Sequence, residues 1–372
     1  MRVLADFHHA GLLQSLILLF EKRLGGQVYR PIGIDWHTKG FWKVYDHPAT
    51  VAQFLEAGGN TPDGTAKLNE LIDSEWVGAA NEVEGGYKHP IYWKCQDIDS
   101  GTFNRAISLQ GFFDTKFDIV IASIPAHIEP FKRLCELHPS KPKLIFQIGN
   151  AWTTEAGSAP NIMASAKMTG VPADTNFIEY HQEFDTSIFS PFSRAYTGAG
   201  FLAGADDKTV ASFVNVFNNM GHFEADWGLF QAVKRLMPDW TFKSYGGQCP
   251  DGALGPAPVL AEAMRNQMFI WHTKAGGDGY GHIIHNAAAV GRPMIVKKSY
   301  YVGKMAEPLL IDGETCINID GMDPHEVIEK ILHYSEPDRW KTMTAKTYEN
   351  FKKVVDFDAE AEKLKVFISN LK

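Results

Sequence analysis

Apolar positions near the start of the chain change from strand spacing to helix spacing and back. Residues 2–7 form an extended apolar run, the sequence His-His-Ala-Gly at 8–11 interrupts it, and 12–24 carries a largely apolar helical pattern that ends at the glycine pair 25–26. The next extended run covers 28–34. This order of strand, helix and strand predicts the first half of a parallel α/β domain.

The same alternation returns after residues 38–116, where the pattern indicates few regular elements. We predict, in order, a strand at 117–123, a helix at 128–137, a strand at 143–148 and a strand at 176–180. The glycine-rich stretch 197–204 is typical of a connection between domains. The first domain is therefore predicted to span residues 1–190.

The second half of the chain repeats this rhythm with short elements. The predicted elements are strand 210–217, helix 226–237, strand 240–245, helix 258–267, strand 268–272, loop 273–281, helix 282–290 and strand 293–296. Such regular alternation predicts an open parallel sheet with helices on both faces. The predicted fold class is therefore α/β, with two Rossmann-like, doubly wound parallel-sheet domains in tandem.

The end of the chain has a helical pattern from residue 324 onward. One face of this tail carries four apolar residues, Leu364, Phe367, Ile368 and Leu371. An apolar helix face of this kind must pack against another part of the protein. We predict a second domain at 191–345 and a C-terminal helix at 346–372 that packs back on the first domain.

Composition and charge exclude several classes of protein. The 372 residues carry a net charge of −8, which argues against a general affinity for nucleic-acid phosphates or anionic membranes. The longest apolar stretch, 12–20, is too short to span a bilayer, and no signal-peptide pattern precedes it. The four cysteines are far apart, which argues against a zinc ribbon or a disulfide framework; they are Cys95, Cys135, Cys249 and Cys316. A cytoplasmic protein is the expectation.

The glycine-rich segment 274–293 is the part of the sequence that most directly indicates chemistry. It follows a predicted strand, begins a predicted helix and contains four glycines within six residues, Gly276, Gly277, Gly279 and Gly281. Glycines let a backbone approach a ligand closely, and a helix N-terminus offers free N–H groups and the positive end of its dipole. The segment therefore suits an anionic group such as a diphosphate. A tight turn that binds no ligand is the alternative.

Two other interpretations of this segment are weaker. A dinucleotide-binding loop would be followed, about 20 residues on, by an acidic residue, whereas Lys297 and Lys298 stand at the end of the next strand. His282 and His285 could ligate a metal together with His272, but no cysteine or carboxylate partner has suitable spacing. We therefore predict no metal site.

The segment resembles the donor-binding motif of the retaining GT-B glycosyltransferases, E-G-F-G-x4-E-A followed by G-x-P. Residues 278–281, Asp-Gly-Tyr-Gly, stand at the first acidic position, Asn286-Ala287 at the second, and Gly291-Arg292-Pro293 at the end. The resemblance implies that Asp278 lies beside the donor sugar and that Asn286 binds the ribose hydroxyls. Both residues replace the usual glutamate, with a shorter acid and a neutral amide respectively.

A second segment is similar to the same family. Residues 182–191 resemble the N-G-V-D-x3-F-x-P stretch by which these enzymes leave their first domain. The family's diphosphate-binding Arg and Lys are missing after the first strand of the second domain, where Asn218, Asn219 and Gly221 stand; Lys243, Lys274 or Lys297 could replace them. The implied donor-site residues, besides the catalytic Asp278, are Lys274, Gly277, Gly279, Tyr280, Gly281, His282 and Asn286.

The acceptor side is expected on the first domain, because ligands of doubly wound sheets bind where strands end. His8 and His9 directly follow the first predicted strand, and either could act as a base or as a hydrogen-bond donor to the sugar. The alternative is that one caps the first helix and the other packs beneath it. The acceptor-side candidates at such strand ends are Gly11, Trp36, His37 and Trp152.

Taken with the resemblance, these residues predict a glycosyltransferase that moves a sugar from a nucleotide-diphosphate sugar to an acceptor hydroxyl in an interdomain cleft. It would use no metal and no cofactor besides this co-substrate, and its acceptor could be a small molecule, a glycan or a modified DNA base. A phage-type DNA glycosyltransferase is an alternative, with a basic groove of Lys39, Lys43, Lys88, Lys94 and Arg105. A second alternative is a nucleotide-sugar epimerase or hydrolase that uses Asp35, Glu155 or Glu179. A third alternative is a regulatory protein that binds a sugar nucleotide without turnover.

Overall fold

A computed structural model describes the greater part of the chain. The described residues are 1–5, 10–31, 106–107, 109–123, 125, 128–149, 159–192, 208–218 and 221–372. The chain divides into two compact units, the first formed by Met1–Phe184 with Phe357–Lys372 and the second by Asp185–Asp356. The boundaries between the two units lie after residues 184 and 356, whereas the sequence predicted them after residues 190 and 345.

The described part of the first unit contains a seven-stranded parallel sheet. Its strands are β1 Arg2–Ala5, β2 Gln27–Pro31, β3 Ala106–Ile107, β4 Ile119–Ala122, β5 Lys143–Ile148, β6 Asn161–Ala164 and β7 Asn176–Glu179. They lie in the order β3-β2-β1-β4-β5-β6-β7, with Leu4 beside both Tyr29 and Val120. The strand order reverses between β1 and β4, and a reversal of this kind marks the ligand-binding edge of such a sheet.

Both faces of this sheet are buried, as the continuous apolar strands require. Successive residues of β1 alternate between two cores, so that Leu4 packs with Phe131 on one face and Val3 packs with Phe20 on the other. The helices that cover the faces are α1 Ala10–Ile17, continued by a π-helical turn Leu18–Arg23, α2 Leu109–Asp114, α3 Ile128–Leu137 and α9 Phe357–Ser369. The last of these comes from the end of the chain.

The apolar face of α9 lies against the first unit. Leu364 and Phe367 are buried in the same core as Leu12 of α1 and Phe20 of the π-helical turn that continues α1. Polar contacts fix the end of the helix, since the Lys372 backbone N–H donates to Asn161 Oδ1 at 3.0 Å. The C-terminal residues are therefore part of the hydrophobic core of the first unit, although they follow the whole second unit in sequence.

His138 is a buried histidine in the core of the first unit, packed against the rings of Phe112 and Phe113. Its Nδ1 accepts from the Ser140 backbone N–H at 3.0 Å, so the hydrogen is on Nε2, which lies 2.8 Å from the Phe112 carbonyl. This arrangement needs the neutral ring. Burial lowers the pKa of His138 below its ordinary value of 6.5.

We expect His138 to make the protein less stable in acid. The unfolded chain binds a proton on this ring at a higher pH than the folded chain does, so the free energy of unfolding falls as the pH drops through about 6.5. Urea denaturation of the wild type and His138→Gln between pH 7.5 and 5.5 measures this loss. The free energy of unfolding should depend less steeply on pH in the variant than in the wild type. The exposed His325→Gln is the control. Parallel slopes for His138→Gln and the wild type would refute the assignment.

The described part of the second unit contains a five-stranded parallel sheet. Its strands are β8 Thr209–Ser212, β9 Thr241–Ser244, β10 Phe269–His272, β11 Met294–Val296 and β12 Cys316–Asn318, in the order β12-β11-β10-β8-β9. β8 and β10 are neighbours although β9 separates them in sequence. The strand order therefore reverses between β8 and β10, and this sheet too has a switch point at its carboxyl edge.

Helices cover the second sheet as well. They are α4 Glu224–Leu236, α5 Ala257–Arg265, α6 His282–Ala289, α7 Pro324–Ser335 and α8 Pro337–Val354, with 3₁₀ turns at Lys298–Tyr301 and Glu307–Leu309. The alanines at the end of α6 are fully buried, and this helix packs on α8. The predicted fold class of two doubly wound parallel α/β domains is confirmed. Within the described residues, no helix is long and apolar enough to cross a membrane.

Candidate functional site

Three loops meet at the switch point of the second sheet. They follow β8, β10 and β11, and because these strands are parallel neighbours, their carboxyl ends lie side by side. The loop after β10 is the glycine-rich segment 273–281, and the segment after β11 begins at Lys297. The motif that the sequence singled out therefore lies at the position where doubly wound sheets bind ligands.

Glycine is required in this loop by its backbone conformation. Gly276, Gly277 and Gly281 have φ angles of 76°, 61° and 83°, in the left-handed region that other residues avoid. At Gly277 there is also no room for a side chain, since an added Cβ would lie 2.2 Å from the Tyr300 carbonyl oxygen and 2.7 Å from Lys304 Nζ. The loop and the segment after β11 are therefore in direct backbone contact.

Asp278 is a partly buried carboxylate within this loop. Its Oδ1 accepts from Lys274 Nζ, and its Oδ2 lies 3.6 Å from Nε2 of His272. Burial alone would raise the pKa of Asp278, but the neighbouring His272 and Lys274 outweigh burial and hold that pKa well below its usual range. The side chain is therefore ionised at neutral pH, so it can accept hydrogen bonds from hydroxyl groups but cannot act as an acid.

Lys304 is a further cation of this site, and the sequence motif did not indicate it. Its Nζ donates to the Gly276 carbonyl oxygen and lies 5.9 Å from the centre of the Tyr301 ring. Burial lowers the pKa of Lys304 below its ordinary value. Among the described residues no carboxylate pairs with it, so its charge is available to an anion. The strand-end criterion, applied to β11, would have pointed to this segment.

The three lysines proposed from the sequence have different surroundings. Lys274 lies in the loop and pairs with Asp278, as described above. Lys297 pairs with the buried Asp226 of α4 at 2.7 Å, and the Tyr300 hydroxyl donates to the same carboxylate oxygen at 3.2 Å. This contact with Asp226 raises the pKa of Lys297 despite its partial burial. Lys243 lies within β9 rather than at its end.

The residues at the start of α6 hold the helix to the loop. His285 Nδ1 donates to the Gly281 carbonyl oxygen at 2.9 Å, and the His285 ring stacks on Tyr280 with ring centres 4.1 Å apart. His282 contacts the same tyrosine edge to face. Asn286 is buried one turn further along the helix. The described residues contain no group of three His, Cys, Asp or Glu side chains that could hold a metal ion.

Most acceptor-side candidates lie outside the described residues. These are His8, His9, Trp36, His37 and Trp152, together with the basic residues Lys39, Lys43, Lys88, Lys94 and Arg105 and the acids Asp35 and Glu155. Gly11 is described and lies in the first turn of α1, directly after β1. Glu179 ends β7, where it pairs with Lys167 at 2.7 Å and accepts from the Met168 backbone N–H.

Sequence comparison identifies no relative: no protein-family model matches the chain, and no curated protein matches it. Solved structures do match. Alr3699/HepE of Anabaena in complex with UDP and glucose has a TM-score of 0.60 at 11% identity, covering 100% of this chain and 99% of that chain. The same protein in complex with UDP-glucose has a TM-score of 0.59 at 13% identity, with the same coverage of both chains. A glycosyltransferase from Rickettsia africae ESF-5 has a TM-score of 0.56 at 12% identity, covering 99% of this chain and 98% of that chain.

These likenesses extend along the whole chain but rest on very low identity, so they concern the fold. Both sheets of this protein are parallel and doubly wound, and both units are included in the matches. The chain has the GT-B fold that its glycine-rich motif led us to expect.

Proposed function

We propose that the protein is a glycosyltransferase whose second unit binds a nucleotide-diphosphate sugar. The observation that carries this proposal is the Asp278 carboxylate in the glycine loop at the switch point, with the ammonium groups of Lys274 and Lys304 beside it or its loop. Support comes from the fold, because HepE of Anabaena, which shares it, has been solved with UDP-glucose. A UDP-sugar is therefore the first donor to test.

Each part of the donor has a chemical counterpart in this site. Backbone N–H groups at the start of α6 and the ammonium groups of Lys274 and Lys304 suit the diphosphate. The Asp278 carboxylate suits a sugar hydroxyl, and the Asn286 amide suits the ribose hydroxyls. The two lysines supply positive charge where the leaving diphosphate gains negative charge, so the proposal includes no metal ion.

In the proposed reaction the bond between the anomeric carbon and the diphosphate oxygen breaks, and the acceptor oxygen bonds to that carbon. The acceptor's proton goes to a base, for which His8 and His9 remain the candidates. Gly11, Trp36, His37 and Trp152 remain the proposed acceptor contacts. The acceptor's identity is left to experiment, with small molecules, glycans and modified DNA bases as the classes to screen.

A nucleotide panel tests the proposal directly. Melting temperatures are measured with UDP, GDP, ADP and CMP, with uridine as the control that lacks a diphosphate. At a concentration about 100 times Kd, a ligand that binds only the folded state adds about 2.7 kcal/mol, or roughly 5–10 °C for a unit of this size. We expect the largest shift with UDP. No shift with any diphosphate would contradict the proposal.

Turnover without an acceptor separates the enzymatic alternatives. Release of UDP from UDP-glucose should be slow in the absence of an acceptor and should accelerate when the correct acceptor is supplied. Fast release, or conversion of the sugar without any acceptor, would instead indicate a hydrolase or an epimerase. Binding of UDP with no turnover under any condition would indicate a regulatory binding protein.

A further inference from the structure

Two buried polar side chains without hydrogen-bond partners lie beside the glycine loop. His272 is the last residue of β10 and is 1% exposed, and Tyr301 ends the 3₁₀ turn after β11 and is fully buried. Within the described residues, neither ring nitrogen of His272 has a hydrogen-bond partner. The Tyr301 hydroxyl has none among them either. The two ring centres are 6.1 Å apart.

Such unpaired groups are costly in a folded protein. A buried polar group that loses its water without gaining a partner destabilises the fold. The residues on either side of His272 avoid this cost, because Trp271 Nε1 donates to Thr273 Oγ1 at 2.8 Å. The imidazole of His272 has no such partner among the described residues, and a buried group of this kind calls for an explanation such as a role in catalysis.

The Asp278 carboxylate lies close to this imidazole. His272 Nε2 and Asp278 Oδ2 are 3.6 Å apart, which exceeds a hydrogen bond by about half an ångström. The other carboxylate oxygen is already bound by Lys274. His272 is held firmly, since its strand pairs with β8 on one side and β11 on the other. A small shift of the loop would complete the hydrogen bond.

We propose that His272 is a positioning residue for Asp278, donating from Nε2–H to Oδ2 and fixing the plane of the carboxylate toward a bound sugar. The imidazole itself is buried, and a low local dielectric constant strengthens a hydrogen bond between the two side chains. This inference rests on the proposed function for the sugar, but the contact between His272 and Asp278 can be measured without any ligand.

Several charged groups surround this pair and set the expected direction of a titration. Lys274 of the loop and Lys304 of the segment after β11 are positive, while Asp226 of α4 is neutralised by Lys297. Removing His272 takes away one of the groups that lower the pKa of Asp278, and the burial that raises this pKa remains. The pKa of Asp278 should therefore rise in a His272 variant.

A carboxyl-carbon NMR titration of the ligand-free protein tests the contact. The Asp278 signal is assigned with Asp278→Asn and followed in the wild type, His272→Leu and Tyr301→Phe. We expect a higher titration midpoint in His272→Leu and an unchanged midpoint in Tyr301→Phe, which keeps the ring and removes only the hydroxyl. Equal midpoints in the wild type and His272→Leu, or an equal shift in Tyr301→Phe, would overturn the inference.

Donor kinetics test the positioning role. We expect His272→Leu to lower kcat for UDP-glucose at least tenfold and to change Kd for UDP less than twofold, because UDP lacks the glucose that Asp278 is proposed to contact. His272→Gln, whose amide can donate a hydrogen bond, should recover part of kcat. Equal losses of UDP affinity and kcat without recovery would show a purely structural role. If the wild type binds no UDP, the proposed function fails, and the titration still decides the contact.

Discussion

Asp278→Asn should reduce sugar transfer from UDP-glucose by about 100-fold or more while the protein stays folded and still binds UDP. The substitution keeps the shape of the side chain and removes its charge, which the surrounding Lys274 and His272 hold in the ionised form. Removing one preorganised electrostatic group from an active site typically costs a factor of 10²–10³ in kcat.

The measurement is the initial rate of UDP release at saturating UDP-glucose with the best acceptor found. Asp338→Asn is a suitable control, because Asp338 is an exposed carboxylate in the first turn of α8. Its rate should equal that of the wild type. An Asp278→Asn protein with a rate within threefold of the wild type would exclude the role proposed for this carboxylate.

Gly277→Ala should weaken UDP binding at least tenfold and lower the melting temperature more than Gly276→Ala does. Both glycines have a left-handed backbone, so any other residue pays roughly 1 kcal/mol at either position. Only at Gly277 would the new methyl group also overlap the Tyr300 carbonyl oxygen, at 2.2 Å; at Gly276 it would meet no atom of the other described residues within 4 Å.

The pair of variants therefore separates backbone conformation from close contact. The difference between them in melting temperature and in Kd for UDP measures what the contact between the loop and the segment after β11 contributes. The variant at Gly277 must displace Tyr300 or Lys304 and so disturb the cation beside the loop. If the two variants behave alike, the contact has no part in donor binding.

Local pattern was sufficient for several elements of the fold. The helix predicted at 128–137 and the strand at 143–148 match Ile128–Leu137 and Lys143–Ile148, because each is an apolar pattern bounded by turn residues. The strand predicted at 210–217 ends at Ser212 instead. Beyond it Phe213, Val214 and Phe217 are still buried, but outside the strand, and Phe217 packs against Trp227 and Phe230 of α4.

Three strands, β3, β6 and β12, were not predicted from the sequence, and β6 and β12 show why. β6 begins with the polar Asn161, which is buried and donates to the Leu144 carbonyl oxygen, so its pattern is not continuously apolar. β12 has only three residues, Cys316–Asn318, too few for a period to be visible. Both were decided by pairing with a neighbouring strand, which no local window of sequence contains.

The sequence by itself determined the alternation of strands and helices, the place of the glycine loop between β10 and α6, and the acidic residue within that loop. Only the tertiary structure decided that Lys304 and Tyr301 lie at that loop, and that His272 is buried beside Asp278 without a hydrogen bond. Lys304 and Tyr301 come from the end of another strand. Which strands become neighbours depends on packing over the whole sheet, and local hydrophobic spacing does not carry that information.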